Sequence, residues 1–588
     1  MKNTVFKIVC LILALAMAVS AFAACKGSGD DIVSSSQPAS SDENVSSEPT
    51  DEVVENPSSE EEPTEEPNDE WIEELPTEEE EEIYYENLYV NNTKKSSSPF
   101  RGISYIHQLA SYQKDSFGRL YTDEQREYEL GLMKEMEVKM IRAFYGSSYT
   151  YNGETGEQDY NSERMQDFFT ACKAMDSIGA EVGVTAIWSM QTLVKNNPDT
   201  NTDNFQLGCP GIVVKDDWDA TLKNYRDFMK NTVLSLKANG VNNLKYFFAY
   251  TECNNSFTGD GLDINGEKAE TSLANREYER IYPLYSDLIT ALDGGLKDAG
   301  LRNQYKIVGP CDNWRADDGS EPISLLVKYT VENLADKVDI IGSHNGYDRA
   351  KEYVDDMYYE IPPQKLTYPM EQAKKVGKEY WVDEYNVATT TYGYENKRVE
   401  MKNPWKGVAV GAMMNSIMNM GGISNLFLWT LWDEQWPDNT NNDMAGEFDN
   451  GIQINGYMSC LFETHTPHPS WYSVSLLTKY IGTGHVYECE GPGYAYYISA
   501  IERDDGEITV VATNHDLMEM DVKINFEKSL GGKTFYRYVY DSSKIEPAPS
   551  YEMIAADAVA KNVTTGFYDQ LPAGSVTVYT TEKPDFVK

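Results

Sequence analysis

From Pro99 onward the chain alternates short apolar runs with longer stretches of helical periodicity, and it does so eight times. The runs fall at residues 101–107, 138–145, 180–188, 244–252, 305–311, 337–344, 379–385 and 425–432. Runs of this length read as buried strands, and helical segments between them imply parallel neighbours joined by crossovers. Trp218, Leu222, Tyr225, Met229, Val233 and Leu236 step by three or four and so share one helical face. Asp216 or Asp217 can cap that helix and Gly240 fits its end. A second helix is expected at about residues 275–299, with Pro283 kinking it near its start, and a final one at about 470–481. Eight such units predict an α/β fold, a (β/α)8 TIM barrel over residues 96–482 with enlarged loops. An open doubly wound sheet is the alternative, but no glycine fingerprint follows the first strand. Residues 483–588 carry β-rich runs separated by turn residues and predict a C-terminal β-sandwich accessory domain.

The beginning of the chain obeys different rules. Lys2 and Lys7 precede an apolar run that ends at Cys25, so residues 1–24 read as a signal peptide. Phe22-Ala23-Ala24-Cys25 resembles a bacterial lipobox, in which Cys25 becomes the lipidated first residue; cleavage after Ala21-Phe22-Ala23 would instead give a freely secreted protein. Residues 25–95 are expected to form a disordered acidic linker of Ser, Glu and Pro, since residues 26–88 hold 23 acidic side chains against one lysine. Such a tract has too little to bury to offset its ordering entropy. An acidic interaction tail is the other reading. The formal net charge of -45 argues against a nucleic-acid partner, which would need Lys/Arg patches. The expected location is extracellular, with a lipid anchor on Cys25 in the outer face of a bacterial cytoplasmic membrane.

Six cysteines remain beyond the export segment, with wide spacing, no CxxC and no paired histidines. Buried thiols are the default, and neither a metal nor a cofactor is expected. The acidic, Asn-rich stretch 438–449 does not place Gly and a terminal Glu at the spacing of an EF-hand calcium loop and reads as a polar loop.

Chemistry in a TIM barrel sits at the C-terminal ends of the strands. Glu252 ends the fourth run and Glu384 the seventh. A carboxylate on an apolar strand is costly to bury and needs a reason. Each could simply form an ion pair at a strand end. Together they suit glycosidic cleavage, which uses a proton donor and a nucleophile across the scissile bond.

The ordered motifs resemble those of a clan A glycoside hydrolase, nearest to family 39, with family 51 a related possibility. Thr251-Glu252-Cys253-Asn254 stands where the family has its Asn-Glu-Pro-Asn acid/base motif. Gly309-Pro310 ends the next strand, His344 and Tyr347 follow strand six, and Glu384-Tyr385-Asn386 matches the nucleophile context. Trp429-Thr430, Trp432 and Asp433 match strand eight, and Arg142 ends strand two. The resemblance implies that Glu384 is the nucleophile, kept ionised by Arg142, His344 or Tyr347, and that Glu252 is the general acid and then base. It implies a carbohydrate substrate contacted by Arg142, Thr251, Asn254, His344 and Tyr347. Trp188, Trp429 and Trp432, with Trp314 and Trp436, are candidate platforms for sugar faces. Thr251 and Cys253 depart from the motif, since Thr lacks the amide donor that contacts the 2-hydroxyl and Pro is absent. The expected activity is a retaining glycoside hydrolase, possibly acting on β-xylosides; the alternative is a non-catalytic carbohydrate-binding lipoprotein.

Overall fold

The computed structural model describes residues 72–79, 83–96, 98–107, 109, 112, 121–186, 209–214, 217–249, 278–313, 324–345, 357–387, 403–432, 434–435, 448–449, 452–453, 457, 467–491, 496–545 and 552–584. They lie in one compact unit, Pro67–Lys588. The expected signal peptide, Cys25 and the linker up to residue 71 fall outside the described residues.

Eight strands close into a barrel: β1 (Ile103–Ile106), β2 (Met140–Phe144), β3 (Glu181–Thr185), β4 (Leu244–Phe248), β5 (Lys306–Asn313), β6 (Ile340–Asn345), β7 (Glu379–Tyr385) and β8 (Asn425–Leu428). Every neighbouring pair is parallel, and β8 joins β1 with Leu426 opposite Ile103. That closure sets aside the open doubly wound sheet. Among the described residues an α-helix follows each strand: α1 (Asp123–Glu135), α2 (Glu163–Ser177), α3 (Trp218–Ala238), α4 (Tyr278–Asp298), α5 (Leu325–Asn333), α6 (Met357–Lys375), α7 (Trp405–Met420) and α8 (Pro469–Ile481). Asp217 caps α3, accepting from the Ala220 amide at 2.9 Å, and Tyr225, Met229, Val233 and Leu236 are its buried face. The barrel interior is filled by Ile106, Met140, Tyr246, Phe248, Trp381 and Phe427, among others, so it is a packed core rather than a pore.

Helix α7 is buried on all sides from Lys406 to Met418. A helix apolar all round needs cover on both faces, and α7 has it from the barrel and from a second, all-β layer. Gly407 permits the approach: a Cβ there would lie 2.5 Å from the Tyr540 ring. Asn415 ties the layers together, donating to the Tyr497 carbonyl at 2.9 Å and the Thr513 hydroxyl at 3.1 Å.

The β layer contains β9 (Gly484–Glu490), β10 (Tyr496–Arg503), β11 (Ile508–Asn514), β12 (Met520–Phe526), β13 (Lys533–Asp541), β14 (Ala558–Val563), β15 (Gly566–Leu571) and β16 (Ser575–Thr580). It is a single ten-stranded sheet that curls over a shared core, rather than two separate sandwich sheets. The curl turns on β9, whose first half pairs with β10 and whose second half pairs with the strand Glu86–Lys94.

That last strand corrects the expected extent of the linker. Residues 72–79 and 83–94 belong to the β layer: Glu73–Glu74 pairs with β14, and Glu86–Lys94 lies between β9 and β12 with Leu88 opposite Ile524. Leu88 and Val90 face the core with Ile498, Val510 and Phe567, so burial available only from a distant part of the chain overrides the local acidity. Replacing Leu88 with Ala is expected to destabilise the β layer by about 2–5 kcal/mol, as for other buried leucines. Denaturant melts of the full chain and its variant would check this.

Cys172, Cys209 and Cys311 are buried thiols and Cys489 is half-buried; Cys253 and Cys460 lie outside the described residues.

Candidate active site at the barrel mouth

Strand β7 carries carboxylates at both ends, in opposite circumstances. Glu379, at the closed end, accepts two hydrogen bonds from Arg101 at 2.9 and 2.7 Å and one from the Trp381 indole at 3.0 Å. It is a satisfied structural ion pair. Glu384, at the open end, keeps 13% of its side-chain surface exposed and faces two basic groups.

A β-bulge aims it. Val382 lies opposite Ser343 and Glu384 opposite His344, which leaves Asp383 as an extra residue on β7. A bulge resets the alternation of side chains along a strand. Glu384, an odd number of residues after the inward-facing Trp381, thereby joins Arg142 and Phe248 inside the barrel. Strand β5 bulges at the same level: Pro310 pairs with Gly342 and Asp312 with Ser343, passing over Cys311, whose φ is +57°.

Arg142 spans the lumen from β2 to β7. Its side chain is fully buried; Nε donates to Thr185 Oγ1 at 3.0 Å and Nη1 to the Asp383 carbonyl at 2.6 Å. The guanidinium lies 4.6 Å from the Phe248 ring centroid, and Nη1 is 3.9 Å from Glu384 Oε2. His344 approaches the same oxygen with Nδ1 at 3.3 Å, while its Nε2 is 3.6 Å from Asp383 Oδ1. A fixed guanidinium therefore stands beside the Glu384 carboxylate. Behind His344, Asp312 is buried and accepts from Ser324 Oγ at 2.5 Å. Burial pushes the Asp312 carboxyl up to about 6, with Asp383 adding to the rise and Ser324 and His344 opposing it.

Trp429 is half-buried at the end of β8, edge-on to Phe144 with centroids 6.0 Å apart. Its amide donates to the Tyr385 carbonyl at 2.8 Å, and its carbonyl accepts from Asn386 Nδ2 at 2.6 Å. Buried Lys406 in turn donates to Asn386 Oδ1 at 3.1 Å and to the Val387 carbonyl at 2.6 Å. This chain of contacts fixes Trp429 to the open end of β7.

The structure therefore brings together Glu384, Arg142 and His344 at one end of the barrel, with Trp429 tied to the same strand end. Trp432 is buried within the main hydrophobic core. His107 is engaged elsewhere: its Nδ1 accepts from the Leu109 amide at 2.8 Å, and its Nε2 lies 2.6 Å from buried Glu129, a packing role. Trp188, Thr251, Glu252, Asn254 and Tyr347, with Trp314 and Trp436, lie outside the described residues. Asp312, Asp383 and Lys406 were not singled out from the sequence, although Asp383 offered a signal, being a second carboxylate on an apolar strand next to Glu384. Among the described residues no group of three or more His, Cys, Asp or Glu side chains is arranged to hold a metal ion.

No family model and no curated protein matches this sequence. Solved structures do match its fold. A glycoside hydrolase family 30 subfamily 8 xylanase from Clostridium acetobutylicum is 17% identical, covering 84% of this chain and 99% of its own, with TM-score 0.51. An α-L-arabinofuranosidase from Thermotoga maritima, in complex with arabinose, is 14% identical over 84% and 99%, with TM-score 0.52. A glucosidase from Croceicoccus marinus is 11% identical over 84% and 98%, with TM-score 0.51. At these identities the likeness is one of fold, and the fold is one that glycoside hydrolases use.

Proposed function

We propose that this chain is a retaining glycoside hydrolase in which Glu384 is the nucleophile and Glu252 the general acid and base. The observation that supports the reading is the placement of Glu384 at the open end of β7, with Arg142 3.9 Å and His344 3.3 Å from the same carboxylate oxygen. In the first step Glu252 donates a proton to the glycosidic oxygen while Glu384 attacks the anomeric carbon, giving a glycosyl ester and releasing the leaving alcohol. In the second, Glu252 takes a proton from water as that water attacks the anomeric carbon, freeing Glu384 and a sugar of retained configuration. Trp429 offers a flat face to a sugar ring. The fold relatives include a xylanase, an arabinofuranosidase and a glucosidase; together with the motif resemblance to families 39 and 51, this supports testing poly- and oligosaccharides, β-xylosides among them, as the first substrates. The export signal and Cys25 belong to the same proposal, as a surface-tethered enzyme meeting glycans outside the cell.

The full mature chain, screened on aryl β-glycosides and β-linked glycans, is expected to release reducing sugar. Glycan binding without any cleavage would favour the non-catalytic binding lipoprotein instead, the reading to which Thr251 and Cys253 point.

A further inference from the structure

We propose that Asp383, backed by Asp312, holds His344 as an imidazolium beside Glu384, which makes both aspartates positioning residues for the nucleophile. The proposal rests on the reading of Glu384 as nucleophile and extends it to the groups behind it.

An ionised carboxylate only accepts, whereas a neutral imidazole has one N–H and one lone pair. His344 has a carboxylate on each side: Glu384 Oε2 is 3.3 Å from Nδ1 and Asp383 Oδ1 is 3.6 Å from Nε2. A neutral ring would leave Asp383 without a counter-charge where water is excluded, since the side chains of His344 and Asp383 are both wholly buried. An imidazolium places a positive charge within ion-pair distance of both. Asp383 needs this counter-charge, because neither of its carboxylate oxygens accepts a hydrogen bond among the described residues. A buried carboxylate lacking such bonds is retained only if paired.

The surroundings fit the assignment. Asp383 is the bulge residue of β7, and Gly342 on β6 leaves room for it: a Cβ at Gly342 would lie 2.7 Å from Asp383 Oδ2. Asp312, reaching from β5, adds a third carboxyl group that senses both His344 and Asp383. Arg142, from β2, is the one cation opposing protonation of His344 among the described groups of this cluster. Tyr380, whose hydroxyl meets Ser343 at 2.8 Å, stays a neutral phenol because burial raises its ionisation far above the usual range. An imidazolium at this distance favours the ionised nucleophile before attack and the carboxylate that re-forms when the glycosyl ester is hydrolysed.

The test uses the full chain labelled with nitrogen-15 at its six histidines, with the His344 signals assigned by their loss in His344→Gln. At pH 7 the wild type is expected to give His344 signals with both ring nitrogens protonated. Asp383→Asn is expected to convert His344 to a neutral tautomer at the same pH. Asp312→Asn, which leaves the direct pair intact, is expected to shift the loss of the imidazolium signal to lower pH. A neutral His344 in the wild type overturns the proposal even if Asp383→Asn fails to fold, as does an imidazolium signal that ignores both substitutions. The readout needs no turnover: an inactive chain with a charged His344 would tell against the glycosidase reading while leaving this assignment standing.

Discussion

Glu384→Ala is expected to abolish glycoside turnover, lowering kcat by on the order of 10^4-fold or more, the scale on which loss of a covalent nucleophile is felt. The same variant should regain activity in azide. Removing the carboxylate opens a space beside Arg142 and His344. A small anion can enter that space, attack the anomeric carbon once and give a glycosyl azide of inverted configuration. Glu252 would still protonate the leaving group in this reaction. Some stability should be lost as well, because fully buried Arg142 loses its carboxylate neighbour while keeping its bonds to Thr185 and the Asp383 carbonyl. Equal rates in the wild type and the variant would refute the nucleophile assignment.

Arg142→Met carries the largest expected effect on stability. The side chain is fully buried and joins β2, β3 and β7 through Thr185, the Asp383 carbonyl and the Glu384 carboxylate, while covering the Phe248 ring. Methionine fills much of the volume but leaves two acceptors without their donor and an anion without its neighbouring positive charge. Breaking a buried charge pair from one side costs about 3–5 kcal/mol, so the barrel should unfold at clearly lower denaturant. Arg142→Lys should recover only part of this, since an ammonium on a flexible stem cannot replace a planar fork that contacts three strands. A variant as stable as the wild type would mean that Glu384 and its neighbours do not depend on this guanidinium.

The barrel was legible because its strands are apolar and its helices periodic over short windows. All eight expected runs contain or overlap an observed strand, and α3 begins at the expected Asp217 cap. Glu384 was legible for a related reason: a carboxylate near the end of an apolar strand is costly without a role. Asp383 was not, because its importance comes from a bulge. An unbroken alternation would point Asp383, two residues after Trp381, into the barrel and Glu384 away from it; the register shift opposite Ser343 and His344 reverses this, and nothing in the local sequence marks it. Asp312 depends likewise on the irregular pairing of β5. The strand Glu86–Lys94 was hidden differently. Its pattern offers only Leu88 and Val90 as inward positions, it adjoins the most acidic part of the chain, and its partners β9 and β12 lie about four hundred residues away. Local propensity cannot report a pairing whose two sides are that far apart.

The most direct test of the double-displacement account is to trap its covalent intermediate. The wild-type chain would be incubated with a 2-deoxy-2-fluoro analogue of an aryl glycoside it cleaves, then digested and mapped by mass spectrometry. The account predicts one fluorosugar per chain, on the peptide containing Glu384, with activity lost in step with labelling. A label on another residue, or turnover that gives the inverted anomer with no adduct at all, would contradict it.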